Sequence, residues 1–216
     1  MTSEELKQRL KTKPDPAALA AGAIADPAMF RTLLEIAVTD RGSIKYACTK
    51  IVRLASEQEP AAVYPFFDTI AGLIRHPNSF VQWDGITIMA NLLAVDVADR
   101  FAGIRQEYLD LVHHPQMITA ATVVGNAWKI VQAKPALEPE VTRRILAIPQ
   151  VVYLYKGEPS PECNRVLCGH ALACLDRYYD QSGSQAAILD FARSQLASER
   201  PAVARKAAQF LKQHVS

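Results

Sequence analysis

Glycine is scarce, at 9 residues in 216, and aromatic residues make up 7% of the chain. With half of the residues hydrophobic, so little glycine leaves enough apolar side chain to bury a continuous core. No run of about 18 apolar residues is free of charge, so no stretch reads as a membrane-spanning helix. The opening MTSEELKQRL carries acids and no apolar block of the kind a secretory signal needs. Four cysteines occur without a repeated C-x-x-C, which argues against a zinc site. The formal net charge of +2 is too small to demand a polyanionic partner. Also missing are G-x-S-x-G, H-E-x-x-H, the P-loop and the dinucleotide glycine pattern. No catalytic, cofactor or metal site is therefore read from the residues, and the expected compartment is the reducing cytoplasm.

What the chain has instead is a repeat. Half of its residues are hydrophobic, and they recur at one offset: Cys48, Ile86 and Val124 stand 38 apart. Ile51/Met89/Ala127, Leu54/Leu92/Ile130 and Ala55/Leu93/Val131 keep the same step. Within one repeat these positions fall at i, i+3, i+6 and i+7, which lines one face of a helix. An upstream helix keeps the step at Ile36/Ile74/Val112 and Leu73/Leu111. Pro77 and Pro115 break the chain between the two helices, and Asp40, Asn78 and Gln116 stand where the next helix is capped. Such a helix pair is too small to bury its apolar face alone, so repeats must stack. Beyond Pro135 the step lengthens to 44, from Val124 to Cys168, and then shortens to 36, from Cys168 to Ala204. The added residues fall in PQVVYLYKGEPSP. Cys48, Cys168 and Cys174 take core positions and Cys163 sits near a helix start, as reduced thiols do when they act as small hydrophobes.

These patterns predict an all-α fold, an α-solenoid of about five helical hairpins. Residues 1–26 are expected to form short capping helices and residues 27–216 one continuous array. Ser3, with Glu4 and Glu5 in the first turn, opens a helix to about Lys11. Asp15-Pro16 and Asp26-Pro27 each read as an acidic N-cap followed by proline at the first helical position.

ERPAVARKAAQFL (Glu199 to Leu211) and DRGSIKYACTKIVRLA (Asp40 to Ala55) follow the form D-x-x-x-V-R-x-x-A-x-x-x-L and resemble the HEAT repeat. That resemblance implies a curved stack whose inner helices line the concave side. It implies scaffold, adaptor or transport roles, and in a minority of such proteins DNA glycosylase or bilin lyase activity. The chain departs from the pattern in its middle: the basic residue after the turn is present as Lys45 and Arg205, but the positions following Lys45 at the 38-residue step hold Trp83 and Ala121.

Beside the core face of the inner helices run Lys45/Trp83/Ala121, Thr49/Thr87/Gly125 and Arg53/Asn91/Lys129, a mixed polar strip. One reading makes Lys45, Arg53, Trp83, Asn91 and Lys129 a partner-binding ridge with Trp83 as its anchor. The other makes the strip a solvated face with Trp83 packed inward, three residues before Ile86. VVYLY (Val151 to Tyr155) is expected to be extended, with Val152 and Leu154 facing the helices and Tyr153 and Tyr155 facing a partner. His113 and His114 are adjacent, so they do not chelate as an i, i+4 pair would. The acid pairs Glu57/Glu59 and Glu138/Glu140 read as solvated helix ends. The first functional reading is a non-catalytic scaffold or adaptor that binds a protein, without cofactor, metal or membrane. The second is a DNA-binding protein akin to the HEAT-like glycosylases, resting on Trp83-Asp84 and scattered cations.

Overall fold

Caps decide where the helices begin. In the computed structural model, which describes residues 2–215, α1 (Ser3–Lys11) starts one residue earlier than Ser3 suggests. Thr2 is its N-cap: the Thr2 hydroxyl accepts from the Glu5 amide and the Glu5 carboxylate accepts from the Thr2 amide, a closed capping box. Asp15 caps α2 (Pro16–Ala25) and Asp26 caps α3 (Pro27–Thr39), each carboxylate accepting two first-turn amides. The chain divides into two compact units, residues 1–104 and 105–216.

The N-terminal unit continues with α4 (Ile44–Gln58), α5 (Pro60–Val63), α6 (Phe67–Leu73) and α7 (Ser79–Leu92). The helix expected upstream of Pro77 is broken, because Pro65 sits in a 3₁₀ turn at Tyr64–Phe66 and supplies no amide to an α-helical ladder. Helix α4 packs against α2, α3 and α7, and α6 packs against α7. Cys48, Ile51 and Ala55 of α4 and Ile86, Met89 and Leu92 of α7 are buried as the repeat predicts, while Leu54 is half-buried. The α6–α7 approach depends on Gly85: a Cβ there would stand 2.6 Å from the Leu73 Cβ and 2.9 Å from its carbonyl carbon.

The C-terminal unit holds α8 (Arg105–Asp110), α9 (Met117–Ala133), α10 (Glu138–Leu146), α11 (Pro161–Asp176), α12 (Gln185–Ser194) and α13 (Pro201–His214). Helix α11 lies between α9 and α13, and α12 lies against α13. Val124, Ala127, Ile130, Cys168, Ala171, Cys174, Ala207 and Phe210 are buried at their expected positions. Ala204 is only half-buried and Val203 enters the core in its stead, with its Cγ2 methyl over Gly169. All four cysteines are buried free thiols. Burial pushes Cys48 up to about 12, Cys168 to about 11 and Cys174 to about 12, which favours the protonated thiol in the core.

The turns repeat as well as the helices. The His76 Nδ1 accepts the Asn78 amide at 3.0 Å, and 38 residues on the His114 Nδ1 accepts the Gln116 amide at 3.1 Å. Asn78 caps α7 through the Val81 amide, but Gln116 makes no such bond to the α9 backbone. Asp40 does not cap α4: its carboxylate accepts the Gly42 amide and pairs with Lys7 at 2.8 Å, fastening α1 to the end of α3. Lys7 and the Gly42 amide hold the Asp40 carboxyl below the usual range.

The lengthened step forms a hairpin. Strand β1 (Leu154–Tyr155) pairs antiparallel with β2 (Glu158–Pro159) around Lys156 and Gly157, both at positive φ, the backbone that a two-residue hairpin turn requires. The run is extended as expected, but its faces are reversed. Tyr153 is fully buried and Val152 is 62% exposed, against the expectation that Val152 faced inward and Tyr153 outward. The Leu154 amide donates to the Pro115 carbonyl at 2.8 Å and sets the phase of the run. That phase carries the Tyr153 hydroxyl to the Val112 carbonyl at 3.0 Å, at the end of a 3₁₀ turn where helical partners run out. Leu154 is half-buried, and Tyr155 is exposed as expected, with Lys156 over its ring. The protein is all-α apart from this hairpin, and among the described residues no helix is long and apolar enough to cross a membrane.

Candidate functional site

The polar strip on α4 and α7 resolves into a ladder and an aromatic step. In the ladder, the Thr49 hydroxyl donates to the Asp84 Oδ2 at 2.6 Å and the Arg53 Nε donates to its Oδ1 at 3.0 Å. Arg53 also reaches Glu57 at 2.6 Å. The Asn91 Nδ2 donates to the Ser56 Oγ at 2.9 Å, and that hydroxyl donates to the Arg53 carbonyl. Arg53 and Asn91 are thus spent on joining α4 to α7. A polar ladder between α4 and α7 exists here, carried by Arg53 and Asp84 and not at the Lys45/Trp83 position. Burial pushes the Asp84 carboxyl above the usual range, more than Thr49 and Arg53 pull it down.

The aromatic step lies one turn nearer the helix starts. Tyr46 of α4, 37% exposed, meets Phe80 of α7 edge-on with ring centroids 5.6 Å apart. Phe80, 62% exposed, meets Trp83 edge-on at 5.1 Å. Trp83 is half-buried, so it belongs to the packed and to the exposed reading at once. The Asn78 Nδ2 donates to the Tyr46 hydroxyl at 3.0 Å and fixes that ring. The Lys45 ammonium stands 5.3 Å from the Tyr46 centroid, and Arg41 is exposed nearby in sequence; among the described residues neither forms an ion pair. Tyr46 and Phe80 escape a reading based on the 38-residue step because they occupy unequal positions in their repeats. The i, i+3 spacing of Phe80 and Trp83 is the signal that marks Phe80, and no such signal marks Tyr46.

In the C-terminal unit the Lys129 Nζ donates to the Asn126 Oδ1 at 2.8 Å, on the same helix as Trp128. Trp128 is covered by the Arg177 guanidinium, 4.6 Å from its ring centroid. Tyr153 is a packing residue and leaves the candidate surface; Tyr155 stays on it. Glu138, expected to be a solvated helix end, is buried: it accepts from the Thr142 and Ser182 hydroxyls at 2.7 and 2.6 Å, and Thr142 shares a hydrogen bond with the Tyr178 hydroxyl. Glu140 is held by Arg144 and Arg105. These acids bind their own unit together and do not form a free pair for acid–base chemistry. The His113 Nε2 lies 2.8 Å from the Arg144 carbonyl. Among the described residues no group of three or more histidine, cysteine, aspartate or glutamate side chains is arranged to hold a metal ion.

The fold and these surfaces define an all-α protein with exposed aromatic and basic residues. Protein-family models, curated proteins and solved structures give no match to the chain.

Proposed function

We propose that the chain is a HEAT-like helical-repeat module that binds a protein partner through the aromatic step of α4 and α7, with no chemistry performed on the partner. The observation that carries this reading is the exposure of Phe80 between Tyr46 and Trp83. A contiguous aromatic surface left in water costs free energy that a partner recovers, and aromatic residues dominate the energetics of protein interfaces. Lys45, over the Tyr46 ring and without an ion pair among the described residues, gives the step a basic edge that favours a partner carrying carboxylates beside an apolar side chain. DNA binding has less support. Both Asp84 oxygens already accept hydrogen bonds, and Arg53 is committed to Asp84 and Glu57.

The test is affinity purification from the source cell with the wild-type chain, Phe80→Ser and Lys45→Glu. Phe80→Ser should lose a protein that the wild type retains, and Lys45→Glu should retain it less, both at unchanged melting temperature. The same protein held equally by all three, or duplex DNA held more tightly than the roughly 10⁻⁶ M of non-specific binding, would reject the reading.

A further inference from the structure

Two recesses in the C-terminal unit share one residue, Arg177. The larger, about 310 Å³, runs between α11 and α13; Leu172 and Phe210 are buried at its base, and Lys206, Gln209 and Gln213 stand at its rim. The smaller, about 130 Å³, is lined by Trp128, Gln132, Tyr178 and Gln181. Arg177 lies over Trp128 and joins them into one groove.

The chemistry of this groove is lopsided. The Lys206 Nζ donates to the Gly169 carbonyl at 3.0 Å, and among the described residues neither Lys206 nor Arg177 forms an ion pair. The acid in the lining, Asp176, has one oxygen 2.8 Å from the His214 Nε2. Gln132, Gln181, Gln209 and Gln213 are exposed, and each carries both a donor and an acceptor, the complement of a peptide amide. The base is apolar, and two cations face one carboxylate across the lining.

We infer that this groove docks an acidic peptide segment of a partner protein, an apolar side chain entering the recess between α11 and α13 and flanking carboxylates on Arg177 and Lys206. A nucleic acid fits less well. A strand would need a cation for each successive phosphate, whereas the groove offers two and sets Asp176 in its wall. The groove is distinct from the aromatic step of α4 and α7, so the two proposals stand or fall separately.

Selection of a random-peptide display library on the full chain, followed by fluorescence titration of the synthesised winners, tests it. Winners should carry Asp or Glu beside Leu, Ile or Phe. They should bind about fivefold or more weakly to Arg177→Glu and to Lys206→Glu, the loss expected for one reversed ion pair, while Phe80→Ser leaves their affinity unchanged. Gln209→Glu and Gln213→Glu add the same repulsion without touching the Arg177–Trp128 stack, so they decide the matter if Arg177→Glu fails to fold. Neutral or basic winners, an absence of winners, winners indifferent to all four substitutions, or displacement of winners by an oligo-dT strand would overturn the inference. Winners lost on Phe80→Ser alone would support the aromatic step and not the groove.

Discussion

Asp84 shows how a single side chain can hold two helices together and still cost stability. Its folded-state pKa is raised above the unfolded value, so the folded protein binds the proton more tightly than the unfolded chain. Stability therefore falls as pH rises through the interval between those two values, and the cost is fully present above the folded one. Asp84→Asn removes that titration, so its melting temperature should gain on the wild type as pH is raised from the acid side to neutrality. A difference that shrinks with rising pH would mean that Arg53 and Thr49 outweigh the burial. The two tyrosines of the hairpin make the converse case. Tyr153→Phe leaves the Val112 carbonyl without its hydroxyl partner and should cost about 1–3 kcal/mol, whereas Tyr155→Ser, at an exposed ring, should change the denaturation midpoint little.

At the scale of elements, the close approach of α6 and α7 rests on a missing side chain. A Cβ at Gly85 would overlap Leu73 backbone as well as its Cβ, and backbone yields less readily than a flexible side-chain tip. Gly85→Ala should therefore lower stability by about 1–3 kcal/mol in chemical denaturation, although alanine is the better helix former. Stability equal to or above wild type would show that the two helices can part at little cost. Such elements were only partly legible in the sequence. The Asp15 and Asp26 caps, the buried faces of α4, α7, α9 and α11 and the proline turns were readable, because each is set by residues within one turn of helix or by a fixed period. The buried phase of VVYLY was not, because a hydrogen bond from Leu154 to the distant Pro115 carbonyl sets it and no local pattern records that bond. Arg53 and Asn91 read as partner contacts because their spacing marks a helix face and says nothing of Asp84 and Ser56 on the opposing helix. Gly85 gave no signal for the same reason: what it makes room for lies on another helix.

For the molecule as a whole, the expectation to be tested is that stability is distributed as in a repeat protein, where a helix is as durable as the number of neighbours that cover it. Within the N-terminal unit α4 is covered by α2, α3 and α7, and α1 touches that group only at its edge. Within the C-terminal unit α11 is covered on both sides, by α9 and α13. Native-state hydrogen exchange should therefore find the slowest amides in α4 and α11 and faster ones in α1 and in the last turn of α13. Ile86→Asp sharpens the test. Ile86 is fully buried, and a carboxylate there would lose its hydration, a change worth more than about 3 kcal/mol against folding. In that variant the amides of α4 and α7 should exchange about as fast as those of α1, because the packing that protects them has been removed from its centre. Protection that is uniform along the chain in the wild type, or that survives Ile86→Asp in α4, would mean that these helices do not derive their stability from stacking on their neighbours.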